Sequence, residues 1–452
     1  MAEPEQTPAD IAVGFAPAFV WGAATSAAQI EGAAFEDGRA ASIWDRFCRE
    51  PGRIDGASNI DVACDHYHRF GEDVAHMKWL GLRAYRFSIS WSRVQPDGQG
   101  AWNEAGFAFY ARLLDALEAA GIEAHATLYH WDLPAALEDA FGGLLDRRVV
   151  APFAAYAAEV ARRFGARLAS IATLNEPWCS ATLGYETAQF APGHADRAEA
   201  FQVSHHLLLM HGAAIRAMRP HTTTRLGIVL NHTPAYPAEP TEADRRAVRA
   251  DDGTNLRWYM DPLFRGQYPA DVIADLGAAA PRVEAGDLAL IHQPLDFLGL
   301  NFYTRNVIST AAPPVRLEAH HGHTDMGWEI YPMALTQFLV RVQREYQPPP
   351  IFITENGMAN PDRDVTDGRV PDVERIEYLR LHLQAVRRAI ELGADVRGYF
   401  YWSLLDNFEW NSGYLRRFGL FHVDYATQRR TPKDSAHWYR EMIAAHRSQR
   451  GA

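Results

Sequence analysis

Along this chain, stretches with apolar residues three and four apart give way, after a glycine, to short and nearly continuous apolar runs. Near the C-terminus Ile376, Leu379, Leu383, Val386 and Ile390 mark one helical stripe. Asp372 stands where an N-cap belongs, Gly393 stops the helix, and residues 396–404 read as a strand. The same unit recurs upstream. Val74, Met77 and Leu80 precede Gly81 and a strand-like run at 82–89. Phe107, Tyr110, Leu113 and Leu117 precede Gly121 and 122–129, and Phe153, Tyr156, Val160 and Phe164 precede Gly165 and 168–174. Further strand candidates are 19–23, 226–230, 297–301 and 351–354. Near-continuous apolar strands alternating with helices favour a parallel sheet covered on both faces, and eight such units favour closure.

The expected fold class is therefore α/β, a single (β/α)8 TIM barrel with loop insertions. Residues 1–10 read as a disordered tail and 11–452 as the barrel. A length of 452 residues would ordinarily imply two or three domains, but α/β barrels often exceed that expectation as one unit. An open doubly wound sheet is the rival. It lacks support, because no Gly-x-Gly-x-x-Gly opens a helix and no Walker-type loop is present. The irregular stretches 234–241 and 309–327, rich in Pro, His and small residues, read as surface loops.

Charge narrows the partners. Lys and Arg number 44 against 56 Asp and Glu, a net −12 that argues against nucleic acid or an anionic membrane. Cys48, Cys64 and Cys179 are too few, and odd in number, for a disulfide framework. The N-terminus is acidic, without a basic segment followed by an apolar one, and no apolar run approaches the roughly 18 residues of a membrane span. A cytoplasmic protein is expected, in which the sequon Asn231-His-Thr233 stays unmodified.

The candidate chemistry lies just after the strands, where a βα barrel keeps its active site. Glu176 follows the fourth run and Glu355 closes the seventh, each beside an asparagine. A carboxylate ending a buried strand is disfavoured unless something employs it. Two such groups facing one pocket are what cleavage of a glycosidic bond requires. Around them fall Gln29 and Glu31, Arg86, His130-Trp131, Asn175, Asn301 and Tyr303, Asn356, Trp402, Glu409 and Trp410. Amides, carboxylates, an imidazole and indoles suit a ligand with many hydroxyls and apolar C–H faces, a sugar. Aromatics make up 12% of the chain, with 12 Trp, more than core packing alone absorbs. Trp21, Trp79 and Trp91 are assigned to the core.

From Phe19 to Tyr425 the sequence resembles glycoside hydrolase family 1, the β-glucosidase family. The resemblance rests on Phe-Val-Trp-Gly-Ala-Ala-Thr-Ser at Phe19 with Gln-Ile-Glu-Gly at Gln29, then Tyr-His-Trp-Asp-Leu-Pro at Tyr129. Asn-Glu-Pro-Trp at Asn175, Asn-Phe-Tyr at Asn301, Ile-Thr-Glu-Asn-Gly at Ile353 and Leu-Leu-Asp-Asn-Phe-Glu-Trp at Leu404 follow in order. It implies Glu355 as nucleophile and Glu176 as acid/base. It implies Gln29, His130, Asn175, Glu409 and Trp410 as holders of sugar hydroxyls, and Trp402 as the platform under the ring. Trp131, Asn301, Tyr303 and Phe418 complete the substrate set, Arg86 and Tyr303 support the nucleophile, and Trp178 and Trp328 stand on the aglycone side. The expected substrate is a small β-glycoside or cello-oligosaccharide, cleaved with retention and without a cofactor or metal. Ala28, Leu174 and Leu144 depart from the residues usual in the family.

Other readings of these residues are plainer. His320, His321 and His323 form a solvated loop rather than a metal site, and Cys179 is read as a buried apolar cysteine. A 6-phospho-β-glycosidase would carry phosphate-gripping residues where Glu409 and Trp410 stand, and a glutamate there repels a dianion. A barrel that binds sugar without cleaving it would have no use for both glutamates.

Overall fold

Eight parallel strands form a closed barrel: β1 Val20–Ala24, β2 Ala84–Ser88, β3 Glu123–Tyr129, β4 Ser170–Asn175, β5 Arg225–Asn231, β6 Phe297–Asn301, β7 Ile351–Asn356 and β8 Val396–Trp402. The computed structural model describes residues 6–362, 365 and 368–449. Each strand pairs with its sequence neighbours, and β8 returns to β1 with Val20 opposite Gly398 and Ala24 opposite Trp402. The eight runs expected from the sequence are these eight strands, each with ends within a few residues of those read from the pattern.

Two apolar regions hold the barrel. Between strands and outer helices lies the larger one, which includes Trp21, Met77, Tyr85, Leu113, Tyr156, Leu208, Leu379 and Tyr399. A smaller cluster, with Ala24, Ala84, Ala172, Val229, Phe297, Phe352, Phe400 and Trp402, fills the barrel interior. Bulk there is paired with its absence. A Cβ on Gly22, Gly227 or Gly398 would meet the ring of Phe400, Phe297 or Phe352 at 2.5, 2.6 and 2.7 Å. Large and small residues thus interlock within the taper, leaving a packed floor rather than a pore.

Close approach also governs the strand end beside Glu355. A Cβ on Gly357 would lie 1.8 Å from the Trp402 carbonyl oxygen, a backbone atom that cannot swing aside. Gly357→Ala is expected to destabilise the fold by about 1–3 kcal/mol, read as a lower thermal midpoint. Activity should fall with it, because β7 and β8 must part at the site.

Several expectations change in the structure. The tail expected over residues 1–10 gives way to a helix at Pro8–Ala12, capped by reciprocal bonds between Thr7 and Asp10, with Ile11 and Ala12 buried; residues 1–5 lie outside the described residues. Asp372 precedes the helix Val373–Glu391, but its carboxylate bonds Arg375 and Ser435 instead of capping the helix N–H groups. The stretch 234–241 contains a short strand, Ala235–Pro237, paired in parallel with Asn306–Ile308. Trp79 is only partly buried at the edge of the core, with Arg440 over its ring, whereas Trp21 and Trp91 are fully buried. Among the described residues no helix is long and apolar enough to cross a membrane.

Candidate active site

At the C-terminal end of the barrel a cavity of about 630 Å³ opens over the strand ends. Its walls include both Glu176 and Glu355, with His130, Trp131, Asn301, Tyr303, Trp402, Glu409, Trp410 and Phe418 around them. Trp178 and Trp328 line the same cavity. The packed phenylalanines of the barrel interior close the bottom.

The two carboxyl groups are held differently. Glu355 Oε1 accepts from Arg86 Nη1 at 2.5 Å, and Oε2 accepts from the Tyr303 hydroxyl at 2.7 Å. Glu176 has no cation against it. Its Oε1 accepts from Asn301 Nδ2 at 2.6 Å, and its Oε2 from the Cys179 thiol at 3.0 Å. Beneath the cavity one amide network links the two. Asn175 Oδ1 accepts from Arg86 Nη2 at 2.7 Å and from Asn301 Nδ2 at 3.1 Å. Thr354 Oγ1 donates to Asn301 Oδ1 at 2.7 Å and fixes which way that amide points.

Electrostatics follow from these contacts. Burial, reinforced by the charge of Glu355, pushes the Glu176 carboxyl up to about 8. Burial also raises Glu355, but the Arg86 guanidinium and the Tyr303 hydroxyl oppose that rise. Of the two, Glu355 therefore keeps the negative charge and Glu176 keeps the proton. Burial, then Glu355 and Glu176, raise Glu409 to about 8 as well. Burial and nearby Arg86 hold His130 well below the usual imidazole range, so the ring is neutral. Its Nε2 lies 3.1 Å from Asn175 Nδ2 and accepts from it, which leaves Nδ1–H as a donor.

Three non-glycine residues of the cavity adopt positive φ: Trp131 at 78°, Glu176 at 45° and Trp410 at 50°. Each costs on the order of 1–3 kcal/mol and persists only where the surroundings enforce it. For Trp131 the enforcement is visible: its indole donates to the Asn175 carbonyl at 2.9 Å and packs 4.4 Å from Trp410. Trp410 in turn rests on Trp44 at 4.6 Å.

Arg86, Gln29 and Asn175 are not among the residues lining the cavity. Gln29 and Asn175 differ most from expectation, since neither presents a free amide to it. Gln29 Nε2 donates to Asn407 Oδ1 and the Phe408 carbonyl, while Ser26 donates to its Oε1. It thereby fixes the loop that carries Glu409. Asn175 is engaged by Arg86, Asn301 and His130, as above. The departures Ala28, Leu174 and Leu144 are all buried behind the walls.

Cys179 corrects one half of the sequence reading: its burial holds, its apolar role does not. It is buried, but its thiol is a hydrogen-bond donor to Glu176 rather than an apolar filler. Its position three residues beyond Glu176, on the first turn after the strand, was the available signal. Also missed were Asn231 at the end of β5 and His232, Asp251, Asn255 and Asn306 from segments after β5 and β6, which all line the cavity. Among the described residues no group of three or more His, Cys, Asp and Glu side chains is placed to hold a metal ion.

Fold and site together define a class, the barrel hydrolases that open glycosidic bonds with paired carboxyl groups. The model of Glycosyl hydrolase family 1 matches residues 12–448, and the chain belongs to that family. It is 44% identical to a beta-glucosidase of Agrobacterium sp., over 97% of each chain. It is equally identical to a bifunctional beta-D-glucosidase/beta-D-fucosidase of Bifidobacterium breve, over 96% of this chain and 98% of that one. Among solved structures, the beta-glucosidase of Thermotoga maritima in complex with glucoimidazole superposes with a TM-score of 0.92 at 41% identity, over 96% and 99% of the two chains.

Proposed function

We propose that this protein is a retaining exo-β-glycosidase that hydrolyses β-glucosides, and with them β-fucosides or β-galactosides. Glu355 is the nucleophile and Glu176 the general acid/base. The observation that carries this reading is the unequal treatment of two buried carboxyls in one cavity. One is held by a guanidinium and a phenol; the other has no cation and a strongly raised pKa.

Glu355 attacks the anomeric carbon as Glu176 passes its proton to the departing glycosidic oxygen, leaving a glycosyl ester on Glu355. The charge of Glu355 is then gone, and with it one of the two causes that raise Glu176. Glu176 becomes the stronger acid and, deprotonated, takes a proton from the incoming water. That Glu355 is the main charge acting on Glu176 supports the close spacing of direct displacement over the wider gap that seats a water. The blind floor of the barrel supports removal of terminal sugars. The relatives' names, and the glucoimidazole bound by one of them, support β-glucose as the principal glycone. Glu409 in the cavity, without a neighbouring cation, disfavours a phosphorylated sugar.

A panel of p-nitrophenyl β-glycosides, with the first anomer released followed by NMR, tests this directly. The β-anomer is expected first, and first release of the α-anomer would overturn the mechanism.

The thiol contact makes a second prediction. Cys179 donates to Glu176 and so favours its charged form. Activity needs Glu176 protonated, so kcat/KM falls as pH rises past about 8. Cys179→Val removes the donor, raises the Glu176 pKa further and shifts that alkaline limb to higher pH. Cys179→Ser supplies a stronger donor and shifts it lower. Identical limbs in all three proteins would exclude the thiol from tuning the acid.

A further inference from the structure

A cluster of buried charge lies behind the loop that carries Glu409 and Trp410. Asp362, Asp372 and Asp406 meet Arg375, Arg417 and Lys433 there, and all but Arg417 are buried. None of the six lines the catalytic cavity. Lys433 is the most unusual of them, because lysine is almost never buried in full unless it is paired. Its ammonium donates to Asp362 and, at 2.6 Å, to Asp406.

Asp406 is the foot of the loop 407–418, from which Glu409, Trp410, Asn411, Ser412 and Phe418 line the cavity. Its carboxylate closes that loop. Oδ1 accepts from the Gly419 N–H at 2.9 Å, and Oδ2 accepts from Arg417 Nη1 at 2.7 Å. The two ends of the loop press so closely together that a Cβ on Gly419 would lie 2.0 Å from the Asp406 nitrogen. Lys433 is itself fixed, since its N–H donates to the Leu420 carbonyl at 3.0 Å and it precedes the last helix, Asp434–Ser448. One ammonium therefore joins the segment after β7, the strand of Glu355, to the segment after β8, the strand before Glu409. Burial alone would raise the Asp406 carboxyl; Lys433 and then Arg417 outweigh it and hold the group below the usual carboxylate range.

Stability is a weak account of such a cluster. Desolvation offsets most of what buried ion pairs gain, and apolar residues of similar volume often hold a fold as well. Fixed geometry is what the pairs supply here. The groups of a binding site must sit within about 0.5 Å of their productive places, and side chains behind them hold them there.

We propose that Lys433 is a positioning residue for the reaction, acting through Asp406 to set the place of the loop that brings Glu409 and Trp410 to the sugar. The inference rests on the glycosidase reading and adds to it a residue that touches no substrate.

The test compares Lys433→Met, which keeps the length of the side chain and removes its charge, with Lys433→Met/Asp362→Asn, which restores the charge balance of the cluster. Thermal midpoint, kcat, KM and the pH profile are measured with p-nitrophenyl β-D-glucoside. Lys433→Met should raise KM roughly tenfold and lower kcat/KM roughly a hundredfold, the scale of a displacement of about 1 Å. The alkaline limb should not move, because none of the groups that set Glu176 belongs to the cluster. The double variant should regain its thermal midpoint but keep the raised KM, since Asp406 still lacks the ammonium. It serves alone if the single variant fails to fold. A wild-type KM in either folded variant would overturn the proposal, and so would an alkaline limb that shifts along with KM. A wild-type protein without turnover of the glucoside would overturn the glycosidase reading itself, and this inference with it.

Discussion

Glu355→Gly is expected to lower turnover of p-nitrophenyl β-D-glucoside by roughly 10⁵-fold, the scale on which a hydrolase loses activity with its nucleophile. The structure argues for so large a loss. Arg86 and Tyr303 both aim at the Glu355 oxygens, and no other carboxylate of the cavity has a cation against it. Water entering the vacated space meets a guanidinium and a phenol, neither of which is a base that can take its proton as it attacks the anomeric carbon. A small anion does fit, beside a guanidinium that has lost its partner. Added azide should therefore restore turnover and yield the α-glucosyl azide, by one inversion in place of two. A β-configured azide, or wild-type rates without azide, would show that Glu355 is not the attacking group.

Glu176→Ala should divide substrates by their leaving groups. A methyl glycoside departs as an alkoxide unless it is protonated, and loss of the general acid is expected to cost it roughly 10³-fold in kcat/KM. A 2,4-dinitrophenyl glycoside leaves unaided, so its initial burst should stay near the wild-type rate. Hydrolysis of its glycosyl-enzyme should then be slow for want of the base. Asn301, whose amide donates to Glu176 and to the Asn175 network, keeps its second contact when the carboxyl is removed. The loss is thus expected to be chemical, with little change in folding. Equal losses on both substrates would count against Glu176 as the acid.

What the sequence revealed follows from how each feature is encoded. The eight strands were legible because a strand buried on both faces is a continuous apolar run, bounded here by glycines. Glu176 and Glu355 were legible because charge at the end of such a run is anomalous. Cys179 was misread for a related reason: thiols are usually apolar filler, and nothing in one dimension says that this one faces a carboxylate. The helix Pro8–Ala12 is too short for periodicity, and only its Thr7–Asp10 capping pair announced it. Asp251 lies in, and Asn255 just beyond, a helix, Glu242–Asp252, so polar that it reads as solvent-facing. Their place in the cavity wall appears only in three dimensions. Gln29 was assigned to the ligand on the family resemblance of the Gln-Ile-Glu-Gly stretch. Its bonds to Asn407 and Phe408 show that it also holds the loop that carries Glu409.

That tie between Gln29 and Asn407–Phe408, together with the β1–β8 seam, has a consequence for synthesis. The earliest and latest βα units meet at the catalytic mouth, and Trp402, Glu409, Trp410 and Phe418 all come from the final stretch of chain. A nascent polypeptide halted before β8 already carries both glutamates yet has no enclosed chamber to put them in. Ribosome-bound or prematurely terminated chains should be catalytically silent, and activity should switch on only when translation is nearly complete.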